Sequence, residues 1–138
     1  YDANADPLHE MLGWGRIDEA VLRQVRALGP RAVVASDHNV LCGQLAASLD
    51  DTPPVYCLSA RRTEFDFVGR GAVPADAPVV YVDTARYPRS PAIALRGRSC
   101  ELAERVNVTR GGHALQRVRV WSCSSETAPD GVGRVVVR

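Results

Sequence analysis

The sequence predicts an α/β fold: a Rossmann-like layered domain with a mostly parallel central sheet and a C-terminal antiparallel β-hairpin. Three observations carry this. Short continuous apolar runs at 31–35, 54–58 and 78–83 read as strands covered on both faces, as parallel strands are. Before and between them lie stretches whose apolar residues recur at helical spacing. The last part of the chain instead alternates apolar and polar residues on either side of a Gly-Gly pair, the pattern of two antiparallel arms.

The first element is an amphipathic helix over 16–28, with Ile17, Val21, Leu22, Val25 and Leu28 on one face and Asp18, Glu19, Arg23 and Arg26 on the other. Gly29-Pro30 stops it, and 31–35 follows as a short buried strand between turn formers. Ser36-Asp37-His38-Asn39 then offers several N-cap residues to a helix carrying Leu41, Leu45 and Leu49 on one stripe, ended by Asp50-Asp51-Thr52-Pro53. A second strand spans 54–58 and, after a polar segment at 61–66, a third spans 78–83. A short helix is expected at 99–105, capped by Ser99, with Leu102 and Val106 facing inward. The hairpin pairs 106–109 with 115–122 around Arg110-Gly111-Gly112-His113, and Val118 and Val120 alternate with Arg117 and Arg119 along its second arm. Such an order of elements predicts two or three layers. The 138 residues suit one domain, 1–138, with a lead-in over 1–15 and a loose tail over 124–138.

Composition narrows the function classes. Hydrophobic residues make up 46% and charged residues 24% of the chain, the balance of a folded globular protein. The net charge is +1 and the arginines are scattered, so the electrostatic footprint of a nucleic-acid binder is missing and no nucleic-acid partner is expected. All 17 basic residues are Arg. A phosphate-loop lysine, a Schiff-base lysine and a Ser-Lys dyad are therefore excluded, since each needs an amine. The apolar runs fall far short of the roughly 20 residues of a membrane-spanning helix. Tyr1-Asp2-Ala3-Asn4-Ala5-Asp6 lacks the basic start and apolar stretch of a signal peptide, so export would depend on a segment upstream.

Cys42, Cys57, Cys100 and Cys123 show no C-x-x-C spacing of a zinc or thioredoxin-like site. Three disulfide connectivities are open. Cys42 and Cys57 read as small buried apolar residues, and Cys100 with Cys123 is the pairing to test.

Open α/β sheets bind ligands beyond the carboxyl ends of their parallel strands. Asp37, His38 and Asn39 after the first strand and Asp83 and Thr84 after the third are the candidate ligand-binding residues on that rule, and an Asp beside a His can orient an imidazole as a general base. The same letters also serve as a plain helix cap, with His38 on an exposed first turn. His38 and Cys42 share a helical face, but zinc needs three or four ligands and no second pair completes the set, so no metal site is expected. Gly13-Trp14-Gly15 follows no strand and so fails as a dinucleotide turn; Trp14 is expected to pack on the sheet with the glycines turning the chain. His9-Glu10 is not continued as H-E-x-x-H. Arg61-Arg62-Thr63-Glu64-Phe65-Asp66-Phe67 is a loop alternating aromatic and charged residues. It suits a carbohydrate or phosphate grip through Glu64 and Asp66, and equally a lid anchored by its two Phe residues. Asn107-Val108-Thr109 matches a glycosylation sequon inside a predicted strand.

The stretch Asp6-Pro7-Leu8-His9-Glu10-Met11-Leu12-Gly13-Trp14 resembles the start of the soluble C-terminal domain in bacterial members of the dolichyl-phosphate-mannose–protein mannosyltransferase family, including the lipid A aminoarabinose transferases. The likeness continues through Ala35-Ser36-Asp37, through Pro54-Val55-Tyr56-Cys57-Leu58, and through Thr63-Glu64-Phe65-Asp66-Phe67, which is similar to the family's N-Q-F-D-x-W element. The region from Cys100 to Cys123 is similar in order and character. The chain departs from the family at Leu45-Ala46-Ala47-Ser48-Leu49, where relatives carry an aromatic F-Y-L, and at Val68, where a Trp is common.

The resemblance implies a parent enzyme with a bundle of membrane helices that transfers a sugar from a polyprenyl-phosphate donor to an acceptor outside the membrane. In that family the acidic catalytic residue lies in a loop between the first membrane helices, which this chain does not contain. The resemblance therefore implies no catalytic residue and no cofactor here, but an extracytoplasmic accessory domain. Its partners would be the membrane-embedded module of the same polypeptide and a glycan or other acceptor. The residues themselves leave two alternatives: a stand-alone domain binding a small ligand at its strand ends, and a small hydrolase using Asp37, His38 and Asp83.

Overall fold

A computed structural model describes residues 14–37, 39–50, 52–58, 73–85, 90–91, 95, 97–110, 113–126 and 134–137. Helix α1 spans Trp14–Leu28. Its stripe of Ile17, Ala20 and Val21 is buried, while Glu19, Arg23 and Arg26 are exposed, so the helical spacing read from sequence orients it. Trp14 and Gly15, expected in the lead-in, form its first turn instead. At the other end Gly29 takes φ +108° and donates its N–H to the Val25 carbonyl at 3.0 Å, a left-handed stop that suits Gly.

Strand β1 is Val33–Ser36, α2 is Asn39–Ser48, β2 is Val55–Cys57 and β3 is Val79–Thr84. β1 lies between β2 and β3 and runs parallel to both, with Ser36 opposite Cys57 on one side and Val82 on the other. The remaining strands are β4, Ser99–Arg110, β5, His113–Cys123, and β6, Arg134–Val137. Together they form one six-stranded sheet ordered β2-β1-β3-β5-β4-β6. The sheet is mixed: β1–β2, β1–β3 and β4–β6 pair in parallel, and β5 runs antiparallel to both of its neighbours, β3 and β4.

Two corrections follow from β4. The segment 99–105, expected as a helix, is the first half of this strand, and its Cys100 lies directly opposite Cys123. The register shifts between Leu102 and Glu104, so Ala103 is an extra residue and the face parity reverses there. Cys100 and Leu102 belong to the core on one face, whereas Val106 packs into the core on the other. An apolar pair four apart imitated a helical stripe because the bulge reverses the strand between its members. The stretch expected as a loose tail is also held in part. The Ser124 N–H donates to the Ser99 carbonyl at 2.9 Å, the Glu126 N–H donates to the Ala75 carbonyl at 2.8 Å, and β6 extends the sheet.

Each sheet face has its own core. Ile17, Ala20 and Val21 of α1 and Leu41, Leu45 and Leu49 of the α2 segment pack on Val34, Val55, Val80, Val82, Val118 and Val120. On the opposite face Val33, Ala35, Val79, Tyr81, Cys100, Leu102, Trp121 and Cys123 are covered by Ala77, Leu95 and Val73. Helices α1 and α2 thus lie on one face, and the cover of the other includes Leu95, whose N–H donates to the carbonyl of the helical Pro91 at 2.7 Å. The continuous apolar runs hold because both faces are dry, whichever kind of element dries them.

Candidate functional site

The carboxyl ends of β2, β1 and β3 lie side by side, which places Asp37, Asp83 and Thr84 along one edge of the sheet. The Leu58 N–H donates to the Ser36 carbonyl at 2.7 Å and carries the β1–β2 pairing past the last strand residue. Asp37 and Thr84 are half-buried. Asn39 begins α2. His38, Glu64 and Asp66, the other candidates, lie outside the described residues, as do the Phe65 and Phe67 anchors.

Asp83 is the one candidate carboxylate buried at this edge among the described residues. Alternation along β3 puts it on the face of Tyr81 and Trp121. Its Oδ1 accepts from Arg119 Nε at 2.9 Å and from the Trp121 indole N–H at 3.3 Å, and Oδ2 accepts from Arg119 Nη2. The guanidinium also sits 5.6 Å above the Trp121 ring. A carboxylate held by a two-pronged arginine and an indole is satisfied as a hydrogen-bond acceptor, and this arrangement fixes Arg119 in place. It does not present Asp83 as a base toward solvent.

The edge is also tied covalently. Cys42, in the first turn of α2, is bonded to Cys57, the last residue of β2. Cys42 and Cys57 are therefore a disulfide, not the pair of free buried thiols expected from sequence. The signal was in the topology: a helix that starts where β1 ends, followed by a parallel strand beside β1, puts its first turn and that strand's last residue at the same end of the sheet. Cys100 and Cys123 form a second disulfide across the antiparallel ladder.

Two further groups escaped the sequence reading. Arg98 is 3% exposed and donates to the backbone carbonyls of Pro74 at 2.8 Å, Ser124 at 3.0 Å and Ala77. Burial pushes its pKa down, with the nearby Glu126 charge opposing that. A planar guanidinium can bond several carbonyls at once, so Arg98 pins the 73–77 segment over the sheet. Beside it Gly97 adopts φ +82°, and a Cβ there would stand 2.8 Å from Glu126 Cγ. Glu104, turned toward α1 by the bulge, accepts from Arg23 at 2.7 and 3.1 Å and from Gln24 Nε2 at 2.8 Å. The Arg23 hydrogen bond holds its carboxyl below the usual carboxylate range. Neither residue carries a motif; only the folded neighbourhood gives them partners.

Among the described residues no group of three His, Cys, Asp or Glu side chains is placed to hold a metal, and no helix is long and apolar enough to cross a membrane. No family model, no curated protein and no solved structure matches the chain.

Proposed function

We propose that this chain is a non-catalytic accessory domain of a membrane glycosyltransferase that transfers a sugar from a polyprenyl-phosphate donor, standing on the extracytoplasmic side of the membrane. Within that reading, β1, β2, β3 and the two helices form a Rossmann-like layered half, and β4 with β5 is the antiparallel hairpin that extends it. The observation that supports the reading most is the bonding of all four cysteines in two disulfides. Disulfides of this kind persist in oxidising compartments and are rare where thiols are kept reduced. The engagement of Asp83 by Arg119 and Trp121 adds support for a scaffold, since the buried acid at the strand ends is already spoken for. The domain's role would be to cap the membrane module and shape the acceptor side.

The experiment is to read the gene upstream of Tyr1. The proposal expects a run of membrane-spanning segments in the same frame, and a start codon close to Tyr1 would sink it. A second reading has one observation in its favour: Asp37, Asp83 and Thr84 share the strand-end edge where open α/β sheets take ligands. Titrating the chain with sugar phosphates and nucleotides tests it, and the absence of saturable binding removes it.

A further inference from the structure

We propose that the corner of the sheet carrying Arg105, Arg117 and Arg119 docks on the phosphate headgroups of an anionic bilayer. This inference rests on the accessory-domain reading, which supplies the membrane nearby.

The observation is a register. Asp83 of β3, Arg119 of β5 and Arg105 of β4 are consecutive cross-strand partners, and two residues along, past Val106 with Val118, Asn107 pairs with Arg117. Arg119 is on the face of Asp83 and Trp121, to which it is bound. Arg117, two residues earlier, shares that face. Glu104 and Val106 point at the helices, so Arg105 and Asn107 between and beyond them point the other way, to join Arg119 and Arg117. The result is three guanidinium groups on one sheet face, opposite the helices, with Cβ atoms about 5 Å apart across the strands and about 7 Å along them. Arg105, Asn107 and Arg117 are exposed and Arg119 is half-buried.

Like charges directly opposed across two strands disfavour the sheet. Asp83 offsets one of the three; among the described residues neither Arg105 nor Arg117 has an acidic partner. A surface that keeps an unfavourable array of one sign fits a partner of the other sign. Guanidinium suits phosphate in particular, because its planar fork matches two phosphate oxygens. The array lies on exposed strand surface, which also selects the kind of partner. A dissolved phosphate would meet these side chains in open water and lose its translational freedom for a few screened contacts. A bilayer presents many phosphates at once, and a domain tethered beside it meets them at high effective concentration.

The test is partition of the 138-residue chain onto vesicles, at low salt, comparing neutral phosphatidylcholine with the same lipid containing phosphatidylglycerol. Wild-type chain should prefer the anionic vesicles and lose that preference in high salt. Each arginine near an anionic surface is worth about fivefold in partition, so Arg105→Gln with Arg117→Gln should bind about 25-fold less. Both side chains are exposed, and unchanged circular dichroism verifies that the variant folds. Arg16→Gln with Arg26→Gln removes the same charge from exposed positions of α1, on the helix side of the sheet, and should stay within about twofold of wild type. Equal loss in the two double variants overturns the proposal by reducing it to net charge. So does equal binding to neutral vesicles, or retention by an acidic polysaccharide with no binding to vesicles. Failure here with membrane segments encoded upstream leaves the accessory reading standing, whereas a start codon beside Tyr1 removes that reading whatever the vesicles show.

Discussion

At position 83 a carboxylate sits at the end of a parallel strand, where catalytic and ligand-binding acids are often found. What distinguishes it is the company it keeps: Arg119 binds both its oxygens and the buried Trp121 donates its indole N–H to one of them. Replacing it leaves a buried donor unsatisfied and a half-buried guanidinium without its counter-charge. Asp83→Ala should therefore lower the unfolding free energy by about 2–4 kcal/mol, measured by urea denaturation followed by circular dichroism. A change below 0.5 kcal/mol, on the order of an ordinary surface substitution, would show that the contact is not structural. Gly97 gives a second case. With φ +82° and Glu126 Cγ in the space of a side chain, Gly97→Ala should destabilise by about 1–2 kcal/mol, and a neutral effect in the same assay would rule out this backbone conformation. Sequence revealed Asp83 as a residue of interest because an acid after an apolar strand is conspicuous. Its partners are 36 and 38 residues away, beyond the reach of any local pattern.

Among the elements, α1 was legible because it keeps one helical period over its whole length, and the three apolar strands because each is an uninterrupted apolar run between turn formers. Ile17, Val21 and their neighbours bury as helical spacing dictates, and Val79 to Val82 bury on both faces. β4 was not legible. Its bulge at Ala103 breaks the alternation that marks a strand, and the broken pattern matched a helix. The same bulge turns Glu104 toward Arg23 and Gln24 and so locks β4 to α1. The titration of Glu104 follows from its lowered pKa. Its folded value lies below the unfolded one, so the stabilisation is complete above the ordinary carboxylate range near 4.5 and is lost as pH falls through the depressed folded value. Glu104→Gln should melt at a lower temperature than wild type at pH 7, and the gap should close as the pH is lowered toward 3. A gap that is constant across this range would contradict the ion-pair account.

Across the whole molecule the two disulfides divide the work. Cys42–Cys57 holds the parallel half of the sheet to α2, and Cys100–Cys123 staples the antiparallel half, closing segments of 15 and 23 residues. For loops of that size a chain-entropy treatment assigns about 3 kcal/mol to each. The fold class and the mixing of parallel and antiparallel strands were open to sequence reasoning, but the strand order and the first disulfide were not, since each depends on which strands become neighbours. The reading of function rests on a division of labour in which these residues build a tied, closed scaffold and bond-making groups reside elsewhere in a longer polypeptide. The measurement that tests this most directly is incubation of the purified, oxidised chain with a radiolabelled polyprenyl-phosphate sugar, an acceptor and a panel of esters. The account predicts no transfer and no hydrolysis above the rate without protein; turnover by the chain alone that disappears in Asp37→Ala or Asp83→Asn would contradict it.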